Sequence, residues 1–451
     1  MSRLEYQILS VMTALSVMIQ AAARRFVPQI TPDTSGYLEI YGFPAMLAQP
    51  RTPLYGWLVA ILDFGRGSYV VVPAFQITTY VAACWLFVAE LRSYGLSRRA
   101  SLSVGAALLF ANAFLMDSNW IHPELLAITC ALLAFAGVVH LTGPQSRRWG
   151  WALVCAGAAC SYILRPSFLP LVVVLPTFFL CLRAVHGDPL APARAAIIFL
   201  VSVFPFVGIA SLRTATVGDP NIVSFGGYVM SGMATLMLSD DVVASLPGDI
   251  KPLAAGLLNA RRAGEESGRM IGIPLNASNV RSYYSVALGY FDVLARTHDD
   301  MLVLTASTRR PGESWVNFNR RLMRFSLAVI HATPERYAAW VVGASTRMFG
   351  RSVATNLPAM LAILVVAVVW PWRLLAKRKT GVAPDSRLDI PVMATCAILW
   401  LVASGILTIL IHAPAIRFIE TSSLLVAAPI IYWAALLLKP QIQILSAGDR
   451  V

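Results

Sequence analysis

Apolar residues run almost uninterrupted for close to a bilayer's width, again and again along this chain. The stretches 5–23, 69–91, 100–116, 123–141, 149–164, 167–183, 195–212, 354–372, 390–411 and 418–438 each read as a membrane-crossing helix. A hydrocarbon core of about 30 Å needs roughly 20 apolar residues, so about ten such runs predict an all-α polytopic membrane protein. The run from Thr52 to Phe64 is too short to span and is bounded by Pro53 and Gly65. It predicts a half-helix lying at the membrane surface or dipping into it. The segment 213–353 breaks the pattern with mixed charge and Gly and Pro interruptions, and with helical stretches at 252–269 and 316–330. Within it, 337–349 reads as an amphipathic helix on the membrane. The organisation is thus an N-terminal transmembrane module (1–212), an extracytoplasmic insert with loop helices (213–353) and C-terminal transmembrane helices (354–451).

Composition agrees with this reading. The chain has 451 residues, of which 57% are hydrophobic and only 13% charged, and its mean hydropathy is +0.67. Such a chain has too few charges to cover a soluble surface. The net charge of +13 could point to nucleic acid. The basic residues instead cluster in short connectors between apolar runs: 92–99, 147–148, 183–194 and 373–387. These share one side if the N-terminus is inside, so the positive-inside rule predicts cytoplasmic termini and no nucleic-acid partner. Arg24, Arg25 and Arg51 oppose the rule locally and are outvoted. Ala21–Ala23 resembles a signal-peptidase site, but Arg24–Arg25 follows at once, which favours an uncleaved first span. The six cysteines all lie in apolar runs, which argues against a disulfide framework.

This topology puts Asp33, the turn 117–124, Arg165 and the turn 412–417 on the outer side. Asp33 is the most informative of them, because an acid held beside a first span is expensive without a role or a partner. Asp33 and Glu124 can take a proton from an acceptor hydroxyl, while Arg165 and Arg417 can grip a phosphate leaving group through their planar forks. Each has a plainer role. Asp33 can cap a helix, Glu124 can complement a helix dipole, Asp117 can serve as an interfacial turn and His122 as a surface histidine. The arginines can snorkel to the interface, and Arg51 and Tyr55 can anchor the half-helix. No phosphate-cradling glycine loop, paired metal histidines or serine elbow is visible. The sequence singles out no cofactor, and a divalent metal is compatible with the residues.

The run Asp33-Thr34-Ser35-Gly36-Tyr37, followed by Arg51-Thr52-Pro53-Leu54-Tyr55 and a short apolar helix, resembles the start of bacterial polytopic glycosyltransferases of the GT-C fold. The protein-mannosyltransferase-like and aminoarabinose-transferase-like families are the nearest groups. The likeness covers roughly the first 210 residues and the last pair of spans. Thr34 stands where those families often carry Glu or Ser, and Phe418 where Tyr is usual. The resemblance implies a GT-C-like bundle in the bacterial inner membrane with its site on the periplasmic face. It also implies inverting transfer of a sugar from a polyprenyl-phosphate donor to a hydroxyl of a glycan or glycolipid. Asp33 would be the general base and Glu124 a second acid. Arg165, Arg417 and Arg51 would hold the lipid phosphate, with Tyr37, Tyr55, Asp117 and His122 lining the site. Two other classes compete. A lipid-linked-oligosaccharide flippase would need charges deep within spans, and no internal repeat supports it. An O-antigen polymerase or ligase would draw on insert arginines such as Arg320 and Arg321.

Overall fold

The computed structural model describes residues 1–31, 33–143, 148–184, 190–267, 291–354, 356–375, 385–412 and 416–448, whose regular structure is helical. Pro32, Arg147, the Asn276–Ser278 sequon and Lys377–Lys379 lie outside the described residues. The first part runs α1 (Arg3–Ala22), α2 (Thr34–Leu38), α3 (Pro53–Asp63), α4 (Val71–Tyr94), α5 (Arg98–Leu109), α6 (Asn112–Asp117), α7 (Glu124–Thr142), α8 (Arg148–Leu164), α9 (Leu171–Ala184) and α10 (Ala191–Val217). The insert supplies α11 (Gly226–Leu236), α12 (Asp240–Ser245), α13 (Lys251–Glu266), α14 (Phe291–Ala306) and α15 (Trp315–Ala332). Then follow α16 (Pro334–Ala354), α17 (Leu357–Leu375), α18 (Asp389–Ile411), α19 (Ile416–Ser423) and α20 (Ala427–Gly448).

Among the described residues, seven helices are long and apolar enough to cross a membrane, or up to nine if each of two bent pairs is one span. The chain is therefore an all-α, multi-pass membrane protein by length and composition of its helices. The expected count of about ten included α8, which has 17 residues. Two expected boundaries shift. Helix α10 runs on to Val217, past residue 212, and the stretch 337–349 forms the middle of α16, which crosses residue 353. The half-helix 52–64 is present as α3, with Pro53 in its first turn and a left-handed Phe64 ending it.

Helix α10 wears its apolar residues outward. Leu200, Phe204 and Val207 are exposed, whereas Ser202 and Arg213 are buried. That inverts the order of a soluble helix and suits a lipid-facing one. At the centre, α7 is enclosed along nearly its whole length. Its contact with α8 is made by small residues. A Cβ at Gly157 would sit 2.6 Å from the Cys130 carbonyl and 2.7 Å from the Ala134 nitrogen. Backbones this close need glycine, the usual device of helices packed in lipid. Gly157→Val is expected to force α7 and α8 apart and destabilise the fold by ~3 kcal/mol. The readout is a lower midpoint and a broadened peak in fluorescence-detected size-exclusion after heating.

Polar contacts sort the two ends of the bundle. At one end the basic connectors meet. Arg92 pairs with Glu5 (2.6 Å) and Arg99 with Asp385 (3.0 Å), while the Ser97 amide donates to Asp389 (2.8 Å). At the other end, the loop after α1 pairs with the turn before α7. The Gln29 amide donates to the Asn119 carbonyl (2.9 Å), and the Ile121 amide to the Gln29 carbonyl (3.1 Å). The insert lies at this second end with its own core of Met233, Met237, Leu257, Phe325, Val329 and Trp340. Buried Arg213 ties it to the bundle, donating to the Leu47 carbonyl, to Asp219 (3.0 Å) and to Ser224 (2.7 Å).

Candidate functional site

Asp33 occupies the capping position of α2 but makes no capping bond. Thr34 does the local work instead, accepting from the Thr31 amide at 2.8 Å. The carboxylate of Asp33 is thereby left to face the bundle. Its Oδ2 accepts from Arg417 Nη1 at 2.9 Å, and its Oδ1 lies 3.6 Å from Arg51 Nη2. The plain capping role is thus excluded, and the cost of the acid is met by two guanidiniums.

Arg51 is held from several sides. It donates to the Tyr37 hydroxyl at 2.9 Å and lies over the rings of Tyr37 and Phe225, at 4.5 and 4.6 Å from their centroids. The next residue, Thr52, donates to the Ile163 carbonyl at 2.5 Å, joining the start of α3 to the end of α8. Tyr55 is fully buried. It donates to Gln76 at 3.1 Å and meets Tyr37 edge-on, 6.1 Å between centroids, so it stands behind the site and supports Tyr37. Gln76, also fully buried, donates in turn to the carbonyls of Ser118 (2.9 Å) and Trp120 (3.2 Å). One amide therefore couples α3, α4 and the turn before α7.

That turn presents Glu124 and His122. Glu124 Oε1 pairs with Arg165 at 2.9 Å, and His122 Nδ1 lies against Oε2. The expected surface histidine is instead an interior one: His122 is buried, packed edge-on to Trp120. Arg165 sits where α8 breaks, in extended backbone before the short 3₁₀ turn Pro166–Phe168. Phe418 lies between the two arginines, 4.8 Å from Arg165 and 5.0 Å from Arg417. Asp117 ends α6 near enough to feel the charges of His122, Glu124 and Arg417, without an ion pair to them. Asp33, Glu124, Arg165 and Arg417 are thus brought together, with Arg51, Tyr37 and His122 beside them.

Accessibility separates the two acids. The Asp33 side chain is 37% exposed and that of Glu124 11%. Burial alone would raise the Asp33 pKa, but the hydrogen bond and charge of Arg417, with the charge of Arg51, outweigh it and hold the carboxyl below its ordinary value. Burial raises the Tyr37 phenol despite Arg51 beside it, so it stays protonated at neutral pH. Glu124 and Arg165 form a nearly dry pair, and removing one partner of such a pair strands the other charge. Glu124→Ala is expected to destabilise the protein by ~3 kcal/mol. Glu124→Gln, which can still accept from Arg165, should lose markedly less in thermal midpoint.

Beyond Arg51 lies a cavity of about 310 Å³, lined among others by Gly36, Glu39, Tyr41, Arg309 and Trp315. The insert arginines Arg320 and Arg321 are engaged elsewhere. Arg320 donates to the Gly218 carbonyl (2.7 Å) and Arg321 pairs with Glu313 (2.7 Å). Spacing along the chain shows no paired metal histidines, yet folding creates a pair. The rings of His298 and His412 lie with centroids 4.3 Å apart and tilted by 49°, and with Asp299 their ligand atoms all fall within 4.8 Å. Gln76, Phe225, His298 and Asp299 were not among the expected site residues. A lone glutamine inside an apolar run was the one available signal, for Gln76. No protein family, curated protein or solved structure matches the chain, so any functional reading rests on the site itself.

Proposed function

We propose that this chain is an integral-membrane glycosyltransferase. It would move a sugar from a polyprenyl-phosphate donor to an acceptor hydroxyl of a glycan or glycolipid, on the extracytoplasmic face of a bacterial inner membrane. The observation that carries the reading is the Asp33 carboxylate held between Arg417 and Arg51, beside the Glu124–Arg165 pair, at one end of the bundle. The acceptor oxygen attacks the anomeric carbon from the face opposite the phosphate. Asp33 takes the acceptor's proton, the carbon–oxygen bond to phosphate breaks, and the configuration inverts. The lipid phosphate leaves with the electron pair, gripped by Arg417 with Arg51 and Arg165.

Asp33 suits the base better than Glu124, because it is the more open acid and Glu124 has an oxygen committed to Arg165 and the other against His122. A carboxylate of lowered pKa is a weak base but a fully ionised one. A phosphate leaving group lets bond cleavage run ahead of proton transfer, so a strong base is not required. Donor phosphate competes with Asp33 for Arg417. Its arrival therefore releases the carboxylate and makes it more basic just when the acceptor must be deprotonated. The cavity beyond Arg51 falls at the lower end of ligand-pocket volumes, about 300 Å³, and leaves room for a sugar-sized group.

The polymerase or ligase reading gains little, since Arg320 and Arg321 are tied up within the insert. A flippase reading fits poorly with ion pairs gathered at span ends. The test is reconstitution in liposomes with polyprenyl-phosphate-linked sugars and a glycolipid acceptor fraction. The proposal expects free polyprenyl phosphate in step with glycosylated acceptor. Translocation of the lipid-linked sugar with its phosphate bond intact would favour the flippase instead.

A further inference from the structure

We propose that His298, Asp299 and His412 form a binding site for one divalent transition-metal ion, zinc being the best match. The inference stands on the geometry of these three residues and does not depend on glycosyl transfer.

His298 lies on α14 and is fully buried, yet neither ring nitrogen has a hydrogen-bond partner. A neutral imidazole carries one donor and one acceptor, and leaving both unmet in the interior is costly. Its Nε2 is seated against α11, where a Cβ at Gly232 would come within 2.9 Å of it. Its Nδ1 is the nitrogen that faces Asp299, 3.8 Å from Oδ1. His412 arrives from the end of α18, placed by two bonds from α16 to the last turn of that helix. The Trp340 indole donates to the Ile409 carbonyl, and the Tyr337 hydroxyl to the Leu410 carbonyl, both at 3.1 Å. Two elements far apart in sequence, α14 with His298 and Asp299 and the end of α18 with His412, thus converge on a set of two imidazoles and one carboxylate.

That donor set selects the ion. Imidazole nitrogen favours zinc and its neighbours over magnesium or calcium, which take oxygen ligands. Three protein ligands leave a fourth tetrahedral position open, as in zinc sites that accept water or an anionic ligand. Bond lengths of about 2.0–2.1 Å put tetrahedral ligands roughly 3.4 Å apart. The present spread, within 4.8 Å, therefore closes by small side-chain rotations around an ion. Asp299 is 70% exposed at its side chain, which gives the ion a path from solution. The His412 ring meets Phe418 edge-on at 5.1 Å, and Arg417 lies 5.0 Å from that same Phe418 ring, which places the site next to the Asp33–Arg417 pair.

The deciding experiment measures metal directly. Tag-free protein in detergent is stripped with chelator, dialysed against buffered zinc or cobalt, and analysed for bound metal and for the visible absorption of cobalt. The expected result is about one equivalent per chain, with a cobalt spectrum of nitrogen–oxygen coordination and a thermal midpoint raised by zinc. Asp299→Asn changes an exposed side chain and should leave the fold intact while weakening binding at least about tenfold. His412→Ala should weaken it further, and Asp33→Asn should keep the metal. No bound metal in the wild type, or unchanged affinity in both Asp299→Asn and His412→Ala, would overturn the assignment.

Discussion

Asp33→Asn is expected to lower turnover by roughly 10²–10⁴-fold while the protein still folds and still binds donor lipid, because general-base catalysis is worth about that much. The side chains are nearly the same size, so packing changes little. The amide can still accept a hydrogen bond from Arg417, which now donates to Asp33 at 2.9 Å. What is lost is the proton acceptor and the negative charge. Loss of the charge also removes the carboxylate's competition for Arg417, so donor lipid should bind the variant at least as tightly as the wild type. A fall in kcat with no rise in donor Kd is the signature. Full turnover by the Asn variant would remove Asp33 from the chemistry.

Arg417→Ala is expected to cost roughly 10²–10³-fold in kcat/KM, the range found when one preorganised donor to a developing anion is deleted. It should also move the acid side of the pH profile. In the wild type, burial of Asp33 is outweighed by Arg417 and Arg51, and the carboxyl titrates below its ordinary value. The kcat/KM profile reports the free enzyme, so its acid limb should lie below the range of an ordinary aspartate. Without Arg417 the largest opposing influence is gone and burial acts against one more distant arginine. The limb then shifts to higher pH. Stability follows the same sign. A depressed native pKa contributes stability above the unfolded value, and this is lost as pH falls through the native one. That contribution should shrink or vanish in Arg417→Ala, read as a flatter acid dependence of the thermal midpoint. Arg417→Lys keeps the charge and should leave the limb near its wild-type place, although it forfeits the bidentate grip on phosphate. A merely structural role for Arg417 predicts lower activity at every pH with an unmoved limb.

Much of the fold is legible in run length alone. Helix α7 reads correctly because, of the nineteen residues from Glu124 to Thr142, Glu124 and His140 lie in the first and last turns and leave a mainly apolar run between them, and α3 because Pro53 and Gly65 bound a run too short to span. The convergence of Asp33 with Arg417 is legible less directly. The two residues are 384 positions apart, and only the alternation of spans, oriented by basic connectors, puts them at the same end. Other features depend on tertiary contacts that leave no local trace. The role of Gln76 comes from what faces it, namely Tyr55 and the carbonyls of Ser118 and Trp120. His122 reads as a surface residue because the turn 117–124 also carries Asp117, Ser118, Asn119 and Glu124, and it is buried because the bridge at Gln29 folds the preceding loop over it. His298 and His412 lie 114 residues apart, and no spacing rule pairs ligands across such a distance. The insert shows the same division. Its helices at 251–266 and 315–332 follow the amphipathic pattern closely, whereas its attachment through Arg213 could not be foreseen.

The central claim is that a lipid phosphate takes Arg417 from Asp33. A cryo-EM structure of the protein in nanodiscs with a polyprenyl phosphate tests this most directly. The account predicts phosphate density within hydrogen-bond distance of Arg417 and of Arg51 or Arg165, with the Asp33 carboxylate released toward the cavity beyond Arg51. Lipid phosphate bound elsewhere, with the Asp33–Arg417 pair still closed, would contradict it.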